Sequence, residues 1–189
     1  MNETKVLVAG TGGQGVVVIG NILARAAVIE NKNVVGMVAY GAEMRGGTAY
    51  AAIIISNEEI GSPIVDRPHI AIILNQPSLD KFEEDILPGG LALINTAMVA
   101  KPVKRLGLQR IEVAATQIAH DLGNVKVANI VAIGALIKHT NLLSMSSVEQ
   151  GLTDLFTAKN PKLVPLNLKA LHAGAEHSVY VPSSVPVDI

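Results

Sequence analysis

Cysteine is absent from this chain of 189 residues. Its absence excludes disulfides, thiolate zinc sites and iron–sulfur clusters held by the chain's own thiolates, so any redox centre is expected on another chain. Tryptophan is absent too, and aromatic residues make up only 3%. With a formal net charge of −1, the chain lacks both the stacking surfaces and the basic groove of single-strand nucleic-acid binders. We therefore expect no nucleic-acid partner.

Charged residues are scarce as well, at 16% of the chain, while hydrophobic residues reach 49%. A soluble enzyme of this size ordinarily carries about a quarter charged residues. An exterior with so little charge is expected to be covered in part by protein. We therefore predict a subunit of an obligate complex, which forms a homo-oligomer when it is alone.

The sequence pattern indicates neither a membrane-spanning segment nor a metal site. The chain does not begin with a basic, apolar leader, and its longest uncharged apolar run, residues 127–137, is about half of the ~20 residues that span a bilayer. We expect a cytoplasmic protein with no membrane partner. The five histidines are scattered without an acidic third ligand, and no serine has a base placed by a motif. The sequence therefore predicts no metal site and no catalytic residue on this chain.

The most informative motif is the glycine-rich sequence GTGGQG at residues 10–15, which directly follows the apolar residues 5–9. A strand that turns through glycines into a helix leaves the first N–H groups of the helix free, beside the positive end of the helix dipole. Such a turn is a ready site for a phosphate or another anion. The candidate anion-binding residues are Gly10, Gly12, Gly13, Gln14 and Gly15.

The spacing of these glycines also satisfies the dinucleotide fingerprint, but that fingerprint requires an acidic residue at the end of the second strand. Here the second predicted strand, residues 34–39, is followed by Tyr40 and Gly41. The missing acid argues against a dehydrogenase and, for the same reason, against an ATP-using adenylating enzyme. A free-standing nucleotide-binding or regulatory module stays open as the alternative to a complex subunit.

A second glycine-rich loop, YGAEMRGG at residues 40–47, follows the second predicted strand. One interpretation is an exposed loop in which Glu43 and Arg45 pair weakly, which contributes under about 1 kcal/mol. The other is a rigid loop that docks on a partner, with Arg45 as a planar donor and Met44 as an adaptable apolar contact. The candidate interface residues are Tyr40, Gly41, Glu43, Met44, Arg45, Gly46 and Gly47.

Strand and helix patterns alternate along the first two thirds of the chain, and the pattern after them is helical. This predicts an α/β fold: a three-layer, Rossmann-like domain with a mostly parallel sheet and a helical C-terminal part. We expect β1 and β2, the first two strands, to form a parallel pair with a right-handed crossover. The last strand is expected at residues 110–114, and a helix with a capping box at residues 147–156. We predict one domain over residues 1–180 and an extended or disordered tail at residues 181–189.

Ligands of such sheets gather beyond the carboxyl ends of the strands. Both glycine-rich loops follow strands that are expected to run in the same direction. The two loops should therefore lie together at the carboxyl edge of the sheet.

Together these motifs resemble the gamma subunit of the 2-oxoacid:ferredoxin oxidoreductases. The resemblance rests on the GTGGQG turn and the YGAEMRGG loop. It continues along nearly the whole chain, in residues 53–56, 60–63, 127–130, 134–136, 160–162 and 167–171. Two positions depart from the family's pattern. Ala42 stands where proline is common, and His69 stands where aspartate is common, so a polar contact at His69 would differ in charge and pH response.

The resemblance implies a Rossmann-like domain inside a larger complex of anaerobic metabolism. Such a complex decarboxylates a 2-oxoacid, here expected to be 2-oxoglutarate or a related one, on thiamine diphosphate with Mg. It passes two electrons through iron–sulfur clusters to ferredoxin and transfers the acyl group to coenzyme A. The resemblance places thiamine diphosphate on alpha and beta subunits and the clusters on a ferredoxin-like subunit, so no cofactor is expected on this chain alone. Our hypothesis for the glycine turn is that it binds a phosphate of coenzyme A or a carboxylate of a partner subunit.

Overall fold

A computed structural model describes residues 3–40 and 48–183; six of its strands and three of its α-helices lie before residue 122, and helices dominate after that. The described strands are β1 (Glu3–Thr11), β2 (Asn33–Tyr40), β3 (Thr48–Ser56), β4 (Ile70–Ile73), β5 (Leu91–Asn95), β6 (Gln109–Val113) and β7 (Val179–Val181). The α-helices are α1 (Val16–Ile29), α2 (Gln76–Phe82), α3 (Ala115–Asp121), α4 (Ala128–His139), α5 (Met145–Lys159) and α6 (Val164–Glu176). Short 3-10 helices cover Glu83–Asp85, Val125–Val127 and Pro161–Leu163.

The seven described strands form one sheet in the order β2-β3-β1-β4-β5-β6-β7. β1, β4, β5 and β6 pair in parallel, while β3 runs antiparallel to both of its neighbours and β7 runs antiparallel to β6. Because β1 and β2 are both antiparallel to β3, they run in the same direction. Five of the seven described strands (β1, β2, β4, β5 and β6) therefore share one direction, which confirms the mostly parallel sheet.

The expectation that β1 and β2 pair directly is wrong, because β3 lies between them. Ala52 of β3 faces Leu7 of β1 on one side and Met37 of β2 on the other. Residues 51–56 of β3 are all buried, as an interior strand requires. A strand that returns antiparallel after a loop needs no helical crossover, so β3 can occupy the place next to β1.

The common direction of β1 and β2 brings the ends of both strands to the same edge of the sheet. Thr11 ends β1 and Tyr40 ends β2, and these residues face Thr48 and Ala49 near the beginning of β3. The glycine turn and the residue that opens the second loop therefore lie at one edge, as expected. Residues 41–47 lie outside the described residues.

Alternate side chains of β1 divide the hydrophobic core into two layers. Val6 and Val8 belong to the larger layer, which α1 and α3 to α6 cover. Leu7 and Ala9 belong to the smaller layer, which α2 covers. Helices therefore pack on both faces of the sheet, which gives the three layers predicted from the sequence.

β7 follows β6 in the sheet, so the expectation that residues 110–114 form the last strand is wrong. β7 is only three residues long and mostly exposed, and so it carries too short a pattern to be read from sequence. Its Tyr180 ring stacks on His139 at the end of α4, with ring centroids 6.1 Å apart, and its hydroxyl donates to Gln109. β7 extends to Val181, the first residue of the predicted tail, and residues 184–189 lie outside the described residues.

The helix expected at residues 147–156 begins two residues earlier, at Met145. Ser144 is its N-cap and accepts a hydrogen bond from the N–H of Ser147 at 3.2 Å, so the capping box expected with Glu149 is wrong. Glu149 instead lies 3.0 Å from the imidazole of His172 on α6. The sequence pattern did not predict α6, which completes the helical C-terminal part.

Candidate functional site

The glycine turn joins β1 to α1 at the carboxyl edge of the sheet. Gly15 is the N-cap of α1, with a φ of 76°, and among the residues that the structure describes no side chain caps this end of the helix. Gly13 also has a positive φ, of 94°. Glycine adopts such backbone angles at little cost, whereas residues with a Cβ are strained there. The N-terminus of a 14-residue helix is thus presented at an edge without a side-chain partner.

The four glycines of the turn fall into two pairs. A Cβ at Gly10 would lie 2.9 Å from Oε1 of Gln14, and a Cβ at Gly15 would lie 2.2 Å from Nδ2 of Asn129. In contrast, no atom of residues 3–40 and 48–183, chain neighbours aside, lies within 4 Å of the position where a Cβ would be at Gly12 or Gly13, and both residues are exposed in this part of the chain. Gly10 and Gly15 therefore permit close packing, while Gly12 and Gly13 form the open face of the turn.

The side chain of Gln14 lies under the turn rather than in solvent. Its Oε1 accepts from the N–H of Thr11 at 2.7 Å, from the Thr11 hydroxyl at 3.1 Å and from Nδ2 of Asn75 at 2.6 Å. Its Nε2 lies 3.4 Å from the carbonyl oxygen of Leu74. The backbone N–H of Gln14 also donates to Thr11, at 3.1 Å. The backbone N–H, the side-chain oxygen and one side-chain N–H of Gln14 therefore bond within the protein.

Two buried asparagines continue the hydrogen bonds along the same edge. Oδ1 of Asn75 caps α2 by accepting from the N–H of Ser78 at 3.0 Å. Nδ2 of Asn95 donates to the carbonyl oxygen of Leu74 at 3.1 Å, while its Oδ1 accepts from the N–H of Thr116 at 3.2 Å. Sequence reasoning missed both asparagines. Their signal was an amide directly after an apolar strand, where the carboxyl ends of β4 and β5 meet the edge.

Asn129, a polar residue within the apolar run at residues 127–137, lies against the turn from the other side. It is 5% exposed, and its Nδ2 is 3.4 Å from the carbonyl oxygen of Gly15. Its Oδ1 accepts from the N–H of Ile130 at 3.0 Å. Asn129 thus joins the beginning of α4 to the beginning of α1, and a buried amide in an otherwise apolar helix is explained by these bonds.

At the opposite, amino edge of the sheet lies Glu30, a residue whose pKa is strongly lowered. Glu30 follows α1, and its carboxylate accepts from the N–H of Ser144 at 2.6 Å and pairs with the Lys32 ammonium at 2.9 Å. Burial raises the pKa of Glu30, but these hydrogen bonds outweigh burial and lower the pKa to about 2. Lys32 also donates to the carbonyl oxygen of Leu142 at 2.7 Å, so the cluster joins α1 to the loop between α4 and α5.

His69, one of the two departures from the family's pattern, also lies at the amino edge. Its Nδ1 accepts from the backbone N–H of Lys5 at 3.0 Å, and the backbone N–H of His69 donates to the Lys5 carbonyl oxygen at 2.9 Å. Burial, followed by the positive charge of Lys5, lowers the pKa of His69. Neutral His69 therefore extends the pairing of the chain beside β1.

Over residues 3–40 and 48–183, no cluster of three or more histidine, cysteine, aspartate or glutamate side chains is placed to hold a metal ion. None of the helices in the same ranges combines the length and the apolar character needed to cross a membrane. The expected cytoplasmic location stays a prediction, as does the interface role of the loop at residues 40–47.

Comparison with known proteins was made on sequence and on structure. The family model described as "Pyruvate ferredoxin/flavodoxin oxidoreductase" matches residues 5–177. The ketoisovalerate oxidoreductase subunit VorA of Methanothermobacter marburgensis is 39% identical over 175 residues, which cover 92% of this chain and 36% of VorA. The chain thus spans about a third of the length of this relative.

Two solved structures show the same fold. The gamma subunit of a keto/oxoacid ferredoxin oxidoreductase from Geobacter sulfurreducens has a TM-score of 0.79 and 30% identity, and the match covers 92% of this chain and 96% of that one. A 2-oxoglutarate:ferredoxin oxidoreductase from Magnetococcus marinus, solved with 2-oxoglutarate, coenzyme A and succinyl-CoA bound, has a TM-score of 0.84 and 24% identity. That match covers 93% of this chain and 31% of the other.

The sequence left two function classes open: a complex subunit, and a free-standing nucleotide-binding or regulatory module. These similarities distinguish between them. The relatives are named as subunits of 2-oxoacid oxidoreductases, and one is named as a gamma subunit. They do not favour the free-standing nucleotide-binding or regulatory module. The resemblance stated from the sequence motifs is confirmed.

Proposed function

Since the chain belongs to the pyruvate ferredoxin/flavodoxin oxidoreductase family, we propose that it is the gamma subunit of a multisubunit, CoA-acylating 2-oxoacid:ferredoxin oxidoreductase. The family match over residues 5–177 is the observation that carries the proposal. The complex converts 2-oxoglutarate or a related 2-oxoacid and coenzyme A to carbon dioxide and an acyl-CoA, and two electrons pass to ferredoxin. This chain supplies binding surfaces, and its partners supply the reacting groups.

The proposed partners are thiamine-binding alpha and beta subunits and a ferredoxin-like iron–sulfur subunit. Clusters of this kind are held by cysteine thiolates, and this chain has no cysteine. The side chains present therefore do not fit a thiolate-held cluster, which is assigned to the ferredoxin-like subunit. Thiamine diphosphate with its Mg is assigned to the alpha and beta subunits, where it would stabilise the carbanion formed on decarboxylation.

We assign the loop at residues 40–47 to the contact with these partners. Support comes from the sequence of the loop, in which Arg45 and Met44 stand among glycines, and from the end of β2 at the carboxyl edge. An arginine at the centre of an interface commonly contributes 2 kcal/mol or more, so Arg45→Ala is expected to weaken assembly by about tenfold or more. Arg25 on the exposed face of α1 offers a matched control with the same change of charge.

The assembly test compares Arg45→Ala with Arg25→Ala after each chain is co-expressed with its partner subunits. Copurified partner protein and 2-oxoacid-dependent ferredoxin reduction should fall for Arg45→Ala alone, while both isolated chains melt like the parent. Equal assembly and turnover for the two variants would refute the interface role of Arg45.

We assign a phosphate of coenzyme A to the glycine turn at residues 10–15. Support comes from the uncapped N-terminus of α1 and from the open positions of Gly12 and Gly13. A structure similar in fold was solved with coenzyme A bound, which makes this anion the first one to test. The two glycines would let the backbone approach the phosphate closely, and Gln14 would act from beneath the turn.

The anion test places a carboxylate on the open face of the turn. Gly12→Asp adds a negative charge where no neighbour from the described part of the chain lies within 4 Å, and Gly61→Asp adds the same charge at another exposed glycine of this kind. In the assembled complex, Gly12→Asp should raise the KM for coenzyme A by about tenfold or more through repulsion, while Gly61→Asp leaves it within about twofold. If Gly12→Asp leaves the KM for coenzyme A unchanged, the assignment of coenzyme A to the turn is refuted.

We also propose that the chain forms a homo-oligomer when purified alone, because few charged residues are available to cover its surface. Size-exclusion chromatography with light scattering measures this directly. A single monomeric species at about 100 μM, well above the Kd of a specific interface, would contradict the proposal.

A further inference from the structure

We propose that Gln14 and Asn75 are positioning residues, which hold the glycine turn in one geometry through a directional chain of carboxamides. The proposed effect on coenzyme A rests on the function assigned to the turn, whereas the effect on the geometry of the turn does not. Neither side chain is proposed to touch the anion.

The orientation of the Gln14 carboxamide is fixed by its neighbours. The N–H of Thr11 can only donate, so the atom 2.7 Å from it must be the oxygen, Oε1. Nε2 then faces the carbonyl oxygen of Leu74, which can only accept. Rotating the amide by 180° would place Nε2 against the N–H of Thr11, which is donor against donor. It would also place Oε1 against the carbonyl oxygen of Leu74, which is acceptor against acceptor.

The same reasoning fixes Asn75. Its Oδ1 accepts from the N–H of Ser78 at 3.0 Å, so its Nδ2 is the group directed at Gln14, at 2.6 Å. Asn75 is 5% exposed, so water does not readily replace this bond. A single side chain therefore caps α2 and holds the residue that shapes the glycine turn 61 positions earlier in the chain.

Asn95 extends this chain of amides to a third strand. The carbonyl oxygen of Leu74 is shared by Nε2 of Gln14 at 3.4 Å and by Nδ2 of Asn95 at 3.1 Å. The Asn95 oxygen is fixed in turn by the N–H of Thr116 at the beginning of α3. Every amide is thus oriented by a backbone group, so no member can reorient without breaking a bond made by another.

The absence of a Cβ at Gly10 makes room for this arrangement. A Cβ there would lie 2.9 Å from Oε1 of Gln14, closer than side-chain atoms normally approach. The glycine and the glutamine of the motif are therefore coupled sterically, which is a requirement of the fold at this turn. Because the supporting groups are neutral, they stiffen the turn without adding negative charge beside an anion, and stiff sites lose less entropy on binding.

The test measures the turn directly, by amide hydrogen exchange and NMR shifts of residues 11–15 in the full chain. Gln14→Met keeps the length of the side chain and removes its hydrogen bonds, whereas Gln14→Glu restores an acceptor. Asn75→Ser keeps a good N-cap for α2 and removes the donor to Gln14. Gln117→Met, at an exposed position on α3, is the matched control.

For Gln14→Met, exchange of the Thr11 amide should accelerate by about tenfold or more, because its acceptor is lost. Gln14→Glu should restore this exchange to within about threefold of the parent. Asn75→Ser should shift the amide signals of the turn while the amides of α2 stay protected. Gln117→Met should change none of these signals. Unchanged turn signals in Asn75→Ser, or unchanged Thr11 exchange in Gln14→Met, would overturn the positioning role.

Kinetics of the assembled complex separate this role from the assignment of coenzyme A. Gln14→Met should raise the KM for coenzyme A by about tenfold and change kcat by less than about twofold, as expected when only binding is weakened. A loosened turn with an unchanged KM would refute coenzyme A binding at the turn and leave the positioning role intact. A raised KM with an unaltered turn would refute positioning.

Discussion

At the carboxyl edge of the sheet, the neutral amides of Gln14, Asn75 and Asn95 join strands to helices, whereas at the amino edge the charged pair of Glu30 and Lys32 joins α1 to the loop between α4 and α5. Each amide supplies a donor and an acceptor, and it orders the backbone without changing charge between pH 2 and pH 10. The carboxylate of Glu30 makes stronger bonds but depends on its ionisation. The edge proposed to bind an anion is therefore the edge built from pH-independent groups.

The amino edge, with Glu30 and Lys32, carries a negative side chain, and no anion is proposed to bind at this edge. Glu30 satisfies the N–H of Ser144 and pairs with Lys32, which in turn bonds to the Leu142 carbonyl. A carboxylate in place of Gln14 would still accept from the N–H of Thr11, but it would have no donor for the Leu74 carbonyl oxygen and would repel a phosphate at the turn. A neutral amide at position 14 is thus compatible with the anion proposed at the turn, whereas a carboxylate there is not.

The largest expected effect is that of Gly15→Ala at the amide edge. The substitution combines a positive φ of 76° with a Cβ that would lie 2.2 Å from Nδ2 of Asn129. We expect a loss of about 3 kcal/mol or more in the free energy of unfolding, measured by urea denaturation. Gly12→Ala, at an open position of the same turn, should change the free energy by less than about 1 kcal/mol. Equal losses for the two variants would show that the turn is not packed as described.

Asn95→Leu comes next and tests whether the amide edge is independent of pH. Asn95 is 1% exposed, and its loss leaves the N–H of Thr116 without its partner. We expect a loss of about 2–3 kcal/mol, of the same size at pH 7 and at pH 4. Urea denaturation at both pH values measures it. A loss that depends strongly on pH would contradict a neutral network at this edge.

Glu30→Gln should cost about 2 kcal/mol at pH 7, allowing for the partial exposure of the side chain. The pKa of Glu30 lies at about 2 in the folded chain and near 4.5 in the unfolded chain. The stabilisation is therefore complete above pH 4.5 and is lost as the pH falls from 4.5 to 2. Denaturation curves of parent and variant should converge over that range. A constant difference down to pH 2 would exclude the carboxylate of Glu30 as its source.

His69→Asn should have the smallest effect, because an amide oxygen can replace Nδ1 as the acceptor for the N–H of Lys5. The pKa of His69 is lowered below its usual 6.5 in the fold, so folding favours the neutral ring. The contribution of His69 is complete above pH 6.5 and is lost as the pH falls through its folded pKa. The parent should therefore lose its small advantage over the variant as the pH falls below 6.5. Melting temperatures across this range test the expectation, and an advantage that grows on acidification would contradict it.

The α/β class and the direction of the strands could be predicted from the sequence, because apolar runs and glycine turns are local signals. The insertion of β3 between β1 and β2 could not. Strand order is decided by packing between residues that lie far apart in the sequence, and local patterns do not report it. β7 was missed for a different reason: three mostly exposed residues carry no periodic pattern.

The candidate site was predictable only in its backbone. The glycines of the turn report a backbone shape directly, so the N-terminus of α1 could be located from them. The roles of Gln14 and Asn129 required the structure, since each bonds to a residue from a distant part of the chain. Asn75 and Asn95 carry a weaker signal, an amide at the end of an apolar strand, which gains meaning only when the strands are known to be neighbours.

The most direct test is reconstitution of the complex from its proposed partner subunits with and without this chain. Ferredoxin reduction that depends on a 2-oxoacid and coenzyme A should appear only when the chain is present, and the chain alone should show none. Oxidation of a 2-oxoacid by the isolated chain, or full activity of the partners without it, would contradict its assignment as a gamma subunit.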